Sequence, residues 1–260
     1  MRVPSLIAMD VDGTIAGGDH VLSERTLAVL RRLAEHAILG VLITGRTEKS
    51  TLSLAKACDF HAPQVSCNGA LITEPDTGRR LWTKQMPLEQ LRATLRAAED
   101  SHTTPVLWTA DRWFVEEPCQ WSQFLATLLE EAPSLAPIES VIANEEVIKV
   151  MLGGEPAMLD VSILDQIPGM ERSMPMFFET SAMGASKADA LTYLLDHLGI
   201  DPSQTWGFGD GGNDVGWLSL VGHAFAPENA REQVRAIART IVGDHRHDGV
   251  AEYLERFLIT

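Results

Sequence analysis

The stretch Leu6-Ile7-Ala8-Met9-Asp10-Val11-Asp12-Gly13-Thr14 decides the fold, because four apolar residues run directly into a pair of carboxylates. A short apolar run that ends at a turn signal is typical of a buried strand. Since side chains alternate along a strand, Asp10 and Asp12 can face the same side where this strand ends. Two such carboxylates repel each other unless a hard cation neutralises them or one stays protonated. For the motif by itself, an acidic turn that caps the next element is the alternative.

The sequence that follows alternates between helix and strand patterns. Ser23 can cap a helix whose leucines recur at helical spacing, and residues 38–43 form another apolar run that ends at Thr44-Gly45-Arg46. A helix over residues 47–57 and a short strand over residues 64–66 come next. This alternation predicts a parallel sheet with helices on its faces.

The middle third of the chain has a different pattern. Amphipathic helices are predicted at residues 88–99 and 121–130, and strand-like segments at residues 106–109, 113–115, 147–152 and 174–179. The first pattern returns with a helix over residues 187–198 and a strand over residues 205–208. We therefore expect a discontinuous core made of residues 1–78 and 184–260, interrupted by an inserted α+β domain over residues 79–183.

A second acidic loop follows the predicted strand at residues 205–208. It contains Asp210 and Asp214, and its position after a parallel strand would bring Asp210 to the same sheet edge as Asp10. Both aspartates are small oxygen donors of the kind that Mg²⁺ accepts. The glycines of the loop also satisfy G-x-G-x-x-G, so a dinucleotide site is an alternative, although Asp210 would repel a pyrophosphate there.

Three further residues are candidates for binding an anion at this edge. Thr44 offers a hydroxyl and Gly45 an unhindered backbone N–H, while Lys187 begins the helix after the insertion and carries a positive charge. Each also has an ordinary interpretation, Thr44 as a helix cap and Lys187 as a surface charge.

Composition excludes several classes of protein. The chain has 260 residues with 36 acidic against 21 basic side chains, a formal charge of -15, and no basic run, so nucleic acid is not expected as a partner. The three cysteines form no C-x-x-C pair, which favours a reducing, cytoplasmic location. A carboxylate at Asp10 interrupts any signal-peptide core, and no apolar run is long enough to span a bilayer, so no membrane partner is expected.

Four segments in this order resemble the four motifs of the haloacid-dehalogenase-like phosphatases, namely Asp10 to Thr14, Thr44-Gly45, Lys187 and Gly209 to Asp214. The closer resemblance is to the Cof-type branch of this superfamily, which the following segments also match: Ser66-Cys67-Asn68-Gly69-Ala70, Gly184-Ala185-Ser186-Lys187 and His247-Asp248-Gly249-Val250-Ala251. The resemblance implies an α/β fold with a Rossmann-like parallel-sheet core and an inserted α+β cap domain of the C2 type. Within the predicted cap it extends to the layout only.

The resemblance also implies roles for the carboxylates. Asp10 would be the nucleophile that forms an aspartyl-phosphate, and Asp12 would be the general acid and base. Mg²⁺ would be held by the Asp10 carboxylate, the Asp12 backbone carbonyl and Asp210. Asp214 would orient Lys187 or reach the metal through water.

The transferring phosphoryl group would be bound by residues of the other motifs. The resemblance assigns this role to Thr44, the Gly45 N–H, Lys187 and Asn213, which supply positioning and charge stabilisation. Two positions depart from the family pattern, Trp217 and the Pro227-Glu228 pair, and neither lies in a motif.

We therefore expect a Mg²⁺-dependent phosphomonoester phosphatase that acts on a small phosphorylated metabolite, with a sugar phosphate as the default substrate, and that is a monomer or a small homo-oligomer. The alternatives are a phosphomutase similar to phosphomannomutase, a phospho-ligand binding protein without activity, and a nicotinamide or flavin oxidoreductase. Four tryptophans of the predicted cap and its margin either stack on a planar substrate or fill the core, namely Trp82, Trp108, Trp113 and Trp121.

Overall fold

The computed structural model describes residues 3–129 and 131–259. Two compact units divide the chain: one comprises Met1–Trp82 and Ser186–Thr260, and the other comprises Thr83–Ala185. We call the first the core unit and the second the inserted unit.

Fourteen strands lie in the described residues. In chain order they are β1 (Leu6–Met9), β2 (Leu39–Leu42), β3 (Gln64–Ser66), β4 (Leu71–Thr73), β5 (Arg80–Thr83), β6 (Thr104–Trp108), β7 (Trp113–Val115), β8 (Ser134–Leu135), β9 (Lys149–Gly153), β10 (Glu171–Met174), β11 (Phe177–Ser181), β12 (Thr205–Phe208), β13 (His223–Pro227) and β14 (Thr240–Val242).

Ten α-helices lie in the same residues. They are α1 (Glu24–Arg31), α2 (Glu48–Ala57), α3 (Leu88–Asp100), α4 (Gln120–Leu129), α5 (Ile138–Asn144), α6 (Val161–Leu164), α7 (Lys187–Leu198), α8 (Val215–Leu218), α9 (Glu232–Ile237) and α10 (Gly249–Ile259).

The central sheet of the core unit has the strand order β14-β13-β12-β1-β2. All of its neighbouring strands are parallel, as the alternation of helix and strand predicts. A parallel bridge between Ile43 and Val65 links β2 to β3, and β3, β4 and β5 form a small second sheet. The predicted α/β fold with a parallel-sheet core is confirmed.

Apolar residues on both sides of β1 explain why this sheet is covered by helices. Ile7 and Met9 belong to a cluster that includes residues of α1 and α10, whereas Leu6 and Ala8 belong to a cluster that includes residues of α7, α8 and α9. Because strand side chains alternate, a fully apolar strand buries both of its faces. Helices therefore cover both faces of the sheet at β1, and the chain leaves this strand at the carboxyl edge of the sheet.

Caps define both ends of α7, the helix that begins at Lys187. Ser186 accepts a hydrogen bond from the Asp189 N–H, and the Asp189 side chain in turn accepts one from the Ser186 N–H, which makes a capping box. Gly199 ends the helix with a φ of 65°, a left-handed conformation that glycine adopts without strain. Lys187 is thereby fixed in the first turn of this helix.

The inserted unit contains a sheet with the order β10-β11-β9-β6-β7-β8. The strand predicted at residues 174–179 is wrong, because Met174 pairs with Phe177 and the two residues between them form the turn of an antiparallel hairpin. Trp108 and Trp113 are buried and stack on each other with ring centroids 5.6 Å apart, so they pack within this unit. Across the two described ranges, no helix combines the length and the apolar character needed to span a membrane.

Candidate active site

The central strands of the core unit end at the candidate residues. Strands β12, β1 and β2 are parallel neighbours, so their carboxyl ends lie at one edge of the sheet. Asp10 directly follows β1, whereas a single residue separates Thr44 from the end of β2 and Asp210 from the end of β12. The expected convergence of these three loops is thus a direct result of the strand order.

Lys187 connects two of the loops through buried ion pairs. Its Nζ lies 2.6 Å from Asp10 Oδ1 and 2.7 Å from Asp214 Oδ1. The lysine side chain is only 2% exposed, so the interpretation of Lys187 as a solvated surface charge is wrong. Burial alone would lower the pKa of Lys187, but the two carboxylates outweigh burial and raise it.

Asp214 is held by four hydrogen-bond donors. Its Oδ1 accepts from Lys187 Nζ and from Trp217 Nε1, the latter at 2.9 Å. Its Oδ2 accepts from the backbone N–H groups of Asp210 at 3.0 Å and Gly211 at 2.8 Å. Because both oxygens are engaged, the geometry favours the role of Asp214 in orienting Lys187 and shaping its own loop.

Three aspartates form an acidic cluster that could hold a metal ion. Asp10, Asp210 and Asp214 each offer a carboxylate oxygen, and these oxygens all lie within 4.8 Å of one another. Burial and the neighbouring Asp214 raise the pKa values of both Asp10 and Asp210. Three carboxylates against one lysine leave an excess of negative charge, and the oxygen donor set is the one that hard divalent cations prefer. The residues therefore fit a bound cation.

Gly13 allows the first and last loops to approach each other. Its φ is +83°, and a Cβ at this position would lie 2.6 Å from Asp210 Oδ2. Thr14 donates a hydrogen bond of 2.9 Å from its hydroxyl to Asp210 Oδ1. A side chain at position 13 would therefore push Asp210 away from the cluster.

The Asp12 carboxylate is engaged by partners that differ from those of the acidic cluster. Arg46 donates to it from Nε at 2.8 Å and from Nη2 at 2.7 Å, and His20 Nδ1 lies 2.9 Å from its Oδ1. Burial opposes ionisation of Asp12, but the hydrogen bonds from Arg46 and His20 hold its pKa below the usual value. Sequence reasoning missed Arg46, although it directly follows the Thr44-Gly45 pair.

Thr44, Gly45 and Asn213 lie around Asn68, a residue that sequence reasoning also missed. Asn213 donates from Nδ2 to Asn68 Oδ1 at 3.2 Å, and a Cβ on Gly45 would lie 3.0 Å from the same oxygen. Thr44 accepts at its hydroxyl from the Arg46 N–H, and Thr47 rather than Thr44 caps the next helix. The signal for Asn68 is its place before Gly69, since asparagine and glycine tolerate left-handed backbone.

Comparison with known proteins identifies the family. The sequence model of the haloacid dehalogenase-like hydrolase family matches residues 7–254. The chain belongs to this family. The resemblance inferred from the motifs is thereby confirmed, and so is the expectation of a hydrolase of the phosphatase type.

Relatives in the haloacid dehalogenase-like family include named phosphatases and solved structures. The chain is 27% identical to the HMP-PP phosphatase of Escherichia coli strain 55989, over 97% of this chain and 95% of that protein. A haloacid dehalogenase-like hydrolase from Bacteroides thetaiotaomicron is 26% identical, with a TM-score of 0.85 over 97% of this chain and 98% of its own. A crystal structure from Thermotoga maritima, 22% identical over 96% of both chains with a TM-score of 0.83, shares the fold.

Proposed function

We propose that this protein is a Mg²⁺-dependent phosphatase that hydrolyses a phosphomonoester of a small metabolite through an aspartyl-phosphate on Asp10. The observation that carries the proposal is the buried Lys187, which bridges Asp10 and Asp214 beside Asp210 at the carboxyl edge of a parallel sheet. The Lys187 ammonium group, held against the buried Asp10 carboxylate, orients that carboxylate for attack and stabilises the charge that develops on a transferring phosphoryl group.

In the first step, an Asp10 oxygen attacks phosphorus while the bond from phosphorus to the substrate oxygen breaks. This step forms the aspartyl-phosphate and divides one displacement into two. Asp12 gives a proton to the leaving oxygen, so that a neutral alcohol departs. General acid catalysis of this kind contributes about 10²–10⁴-fold.

In the second step, a water oxygen attacks phosphorus and the bond between phosphorus and Asp10 breaks. Asp12 takes the proton of the attacking water, and inorganic phosphate leaves with the Asp10 carboxylate restored. The contact with Arg46 favours the ionised form of Asp12, which accepts this proton, and the proton gained here is the one that Asp12 gives to the leaving oxygen in the next cycle.

The phosphoryl oxygens are held by neutral and cationic donors of the same edge. We assign this role to the Thr44 hydroxyl, the Gly45 N–H, the Lys187 amine and the Asn213 amide. These groups neutralise and position the phosphoryl group, which is most of what phosphoryl transfer requires of a protein.

We propose that Mg²⁺ is held by the Asp10 carboxylate, the Asp12 backbone carbonyl and Asp210. Bound there, the ion would offset the repulsion between an anionic nucleophile and an anionic substrate. Asp214 is left to orient Lys187, since its two oxygens already accept four hydrogen bonds.

The substrate of the proposed reaction is a small phosphorylated metabolite. We propose that the inserted unit is the cap that selects it, that the default substrate is a sugar phosphate, and that the enzyme acts in the cytoplasm as a monomer or small homo-oligomer. No disulfide joins the three cysteines, all of which lie in the described residues, as a reducing compartment favours.

Phosphate release from a panel of compounds tests the proposed function. The panel comprises sugar phosphates, nucleotides, pyridoxal phosphate, flavin-precursor phosphates and HMP-PP, each with Mg²⁺ and with chelator. We expect release from at least one monoester, and we expect the chelator to suppress it almost completely, because the acidic cluster needs a cation to admit a phosphate. Absence of release from every compound would contradict the proposal, and a bisphosphate-primed isomerisation assay would then test a mutase.

Replacing Asp210 by alanine is expected to raise the Mg²⁺ concentration needed for half-maximal activity by at least about tenfold. The variant removes one carboxylate from the acidic cluster and leaves Lys187 paired with both of its partners. A titration of activity against Mg²⁺ measures the effect. Asp196→Ala, an exposed aspartate on α7, is the matched control and should not change the titration. An unchanged metal requirement in Asp210→Ala would remove Asp210 from the metal site.

A further inference from the structure

The turn formed by Cys67, Asn68 and Gly69 has an unusual backbone. Its three residues all have positive φ, with values of 50°, 55° and 99° in chain order. Residues other than glycine seldom adopt this left-handed region, and here two of them do so in succession. Such a conformation persists only where surrounding contacts determine it, so those contacts show what the turn is built to hold.

Two backbone hydrogen bonds tie the turn to the segment that follows β2. The Asn68 N–H donates to the Thr44 carbonyl at 3.0 Å, and the Cys67 N–H donates to the Arg46 carbonyl at 2.9 Å. The turn is thus bonded on both sides of Gly45, whose N–H we assign to the phosphoryl group.

Gly69 places the same turn against the beginning of α7. A Cβ on Gly69 would lie 2.3 Å from the Ser186 carbonyl oxygen and 2.9 Å from the Lys187 nitrogen, so only glycine fits. On the other side, the Gly69 carbonyl accepts a hydrogen bond of 3.1 Å from Trp82 Nε1. The turn therefore has little freedom to move relative to Lys187.

The Asn68 side chain reaches the third phosphate-binding loop. Its Oδ1 accepts a hydrogen bond from Asn213 Nδ2 at 3.2 Å. A primary amide carries two N–H donors, so this bond uses one of them and leaves the other for a ligand. Asn213 itself is exposed, and Asn68 is the side chain that fixes the direction of its amide.

We propose that Asn68 is a positioning residue, which orients the Asn213 amide so that its second N–H points at the phosphoryl oxygens. The proposal rests on the proposed phosphatase function. It adds that a single turn keeps the hydrogen-bond donors of three loops in fixed positions relative to one another. Through its backbone the turn holds Thr44 to Arg46, through Gly69 it abuts Lys187, and through its side chain it holds Asn213.

A double-mutant cycle with Asn68→Gly and Asn213→Ala tests this role. Glycine accepts the left-handed backbone, so Asn68→Gly removes the hydrogen-bond acceptor without disturbing the turn. We expect Asn68→Gly to lower kcat about 10- to 100-fold and also to weaken binding of the phosphoryl group, because the misaligned Asn213 amide no longer contacts that group before or during the transfer. In the Asn213→Ala background, the same substitution should have almost no further effect, because Asn68 acts through Asn213.

Asp59→Gly is the matched control, since Asp59 is an exposed residue with a φ of +59° that has no part in the proposed site. It should leave kcat unchanged. A kcat of Asn68→Gly within about twofold of wild type would overturn the proposal, and so would losses that multiply in the double variant, because the two residues would then act independently.

The affinity for inorganic phosphate in the presence of Mg²⁺ separates the failure of this proposal from that of the proposed function. If the wild-type protein releases no phosphate from any compound, the proposed function is wrong, and the same cycle measured by calorimetry still decides the role of Asn68. Weaker phosphate binding in Asn68→Gly but no further weakening in the Asn213→Ala background would support it. Equal affinities of wild type and Asn68→Gly would overturn it.

Discussion

Replacing Asp10 by asparagine is expected to abolish phosphate release, with a fall in kcat of at least about 10⁴-fold. The amide is isosteric with the carboxylate but is not a nucleophile toward phosphorus, so no aspartyl-phosphate can form. Phosphate release with Mg²⁺ and the best substrate of the panel measures the effect. Appreciable turnover in Asp10→Asn would contradict the assignment of Asp10 as the nucleophile.

The same variant is expected to fold as well as the wild-type protein. Asp10 is 7% exposed and burial raises its pKa, so its ionised form is disfavoured where it stands. Removing one of three clustered carboxylates lowers the repulsion and still leaves Lys187 its partner Asp214. Without metal, the thermal unfolding midpoint of Asp10→Asn should therefore equal or exceed that of wild type. Asp196→Asn is a surface control for the loss of one negative charge, and a clearly lower midpoint in Asp10→Asn would show that its loss of activity reflects misfolding.

Replacing Lys187 by methionine is expected to reduce both activity and stability strongly. Methionine has a similar length but no charge, so Asp10 and Asp214 lose their shared buried cation. Removing one partner of a buried ion pair typically costs about 3–5 kcal/mol, because the remaining charge stays desolvated. We expect a loss of that size in the free energy of unfolding at pH 7 with chelator, and a fall in kcat of about 10³-fold.

The stability loss should depend on pH and on metal in a defined direction. Without Lys187, the pKa of Asp10 rises further above its value in the unfolded chain, so the folded protein binds a proton that the unfolded chain has lost near neutral pH. Because burial already raises the pKa of Asp10 to about 8 in the wild-type protein, the two proteins differ in this proton only at higher pH, so the penalty grows as pH rises above 8 and shrinks as pH falls below it. Adding Mg²⁺ should also restore part of the stability, since a cation returns to the acidic cluster.

Urea denaturation of Lys187→Met at pH 7 and pH 9, with chelator and with Mg²⁺, measures these effects. Lys56→Met, which removes an exposed lysine from α2, is the matched control and should stay within about 0.5 kcal/mol of wild type. If Lys187→Met showed the same free energy of unfolding as the control at pH 7, the ion pairs with Asp10 and Asp214 would not be essential to this fold.

Much of the core unit follows from local patterns in the chain. Strand β1 was predicted because four apolar residues precede Asp10, and α7 because the pattern of the first part of the chain returns after Ser186. The hairpin of β10 and β11 was not predicted, since Met174 to Glu179 shows the composition of one strand while Pro175 and the next residue form a turn. Composition alone does not distinguish one continuous strand from a hairpin turn that contains apolar residues.

The sequence by itself determined the family, the parallel core and the residues that bring chemistry to its carboxyl edge, because strand periodicity, helix caps and short motifs are local and parallel strands end at one edge. Only the tertiary structure decided two further partners: Arg46 for Asp12 at a separation of 34 residues, and Asn68 for Asn213 at 145. A hydrogen bond between side chains depends on distances and angles of a few tenths of an ångström, which the packing of loops from different strands sets and no local pattern encodes.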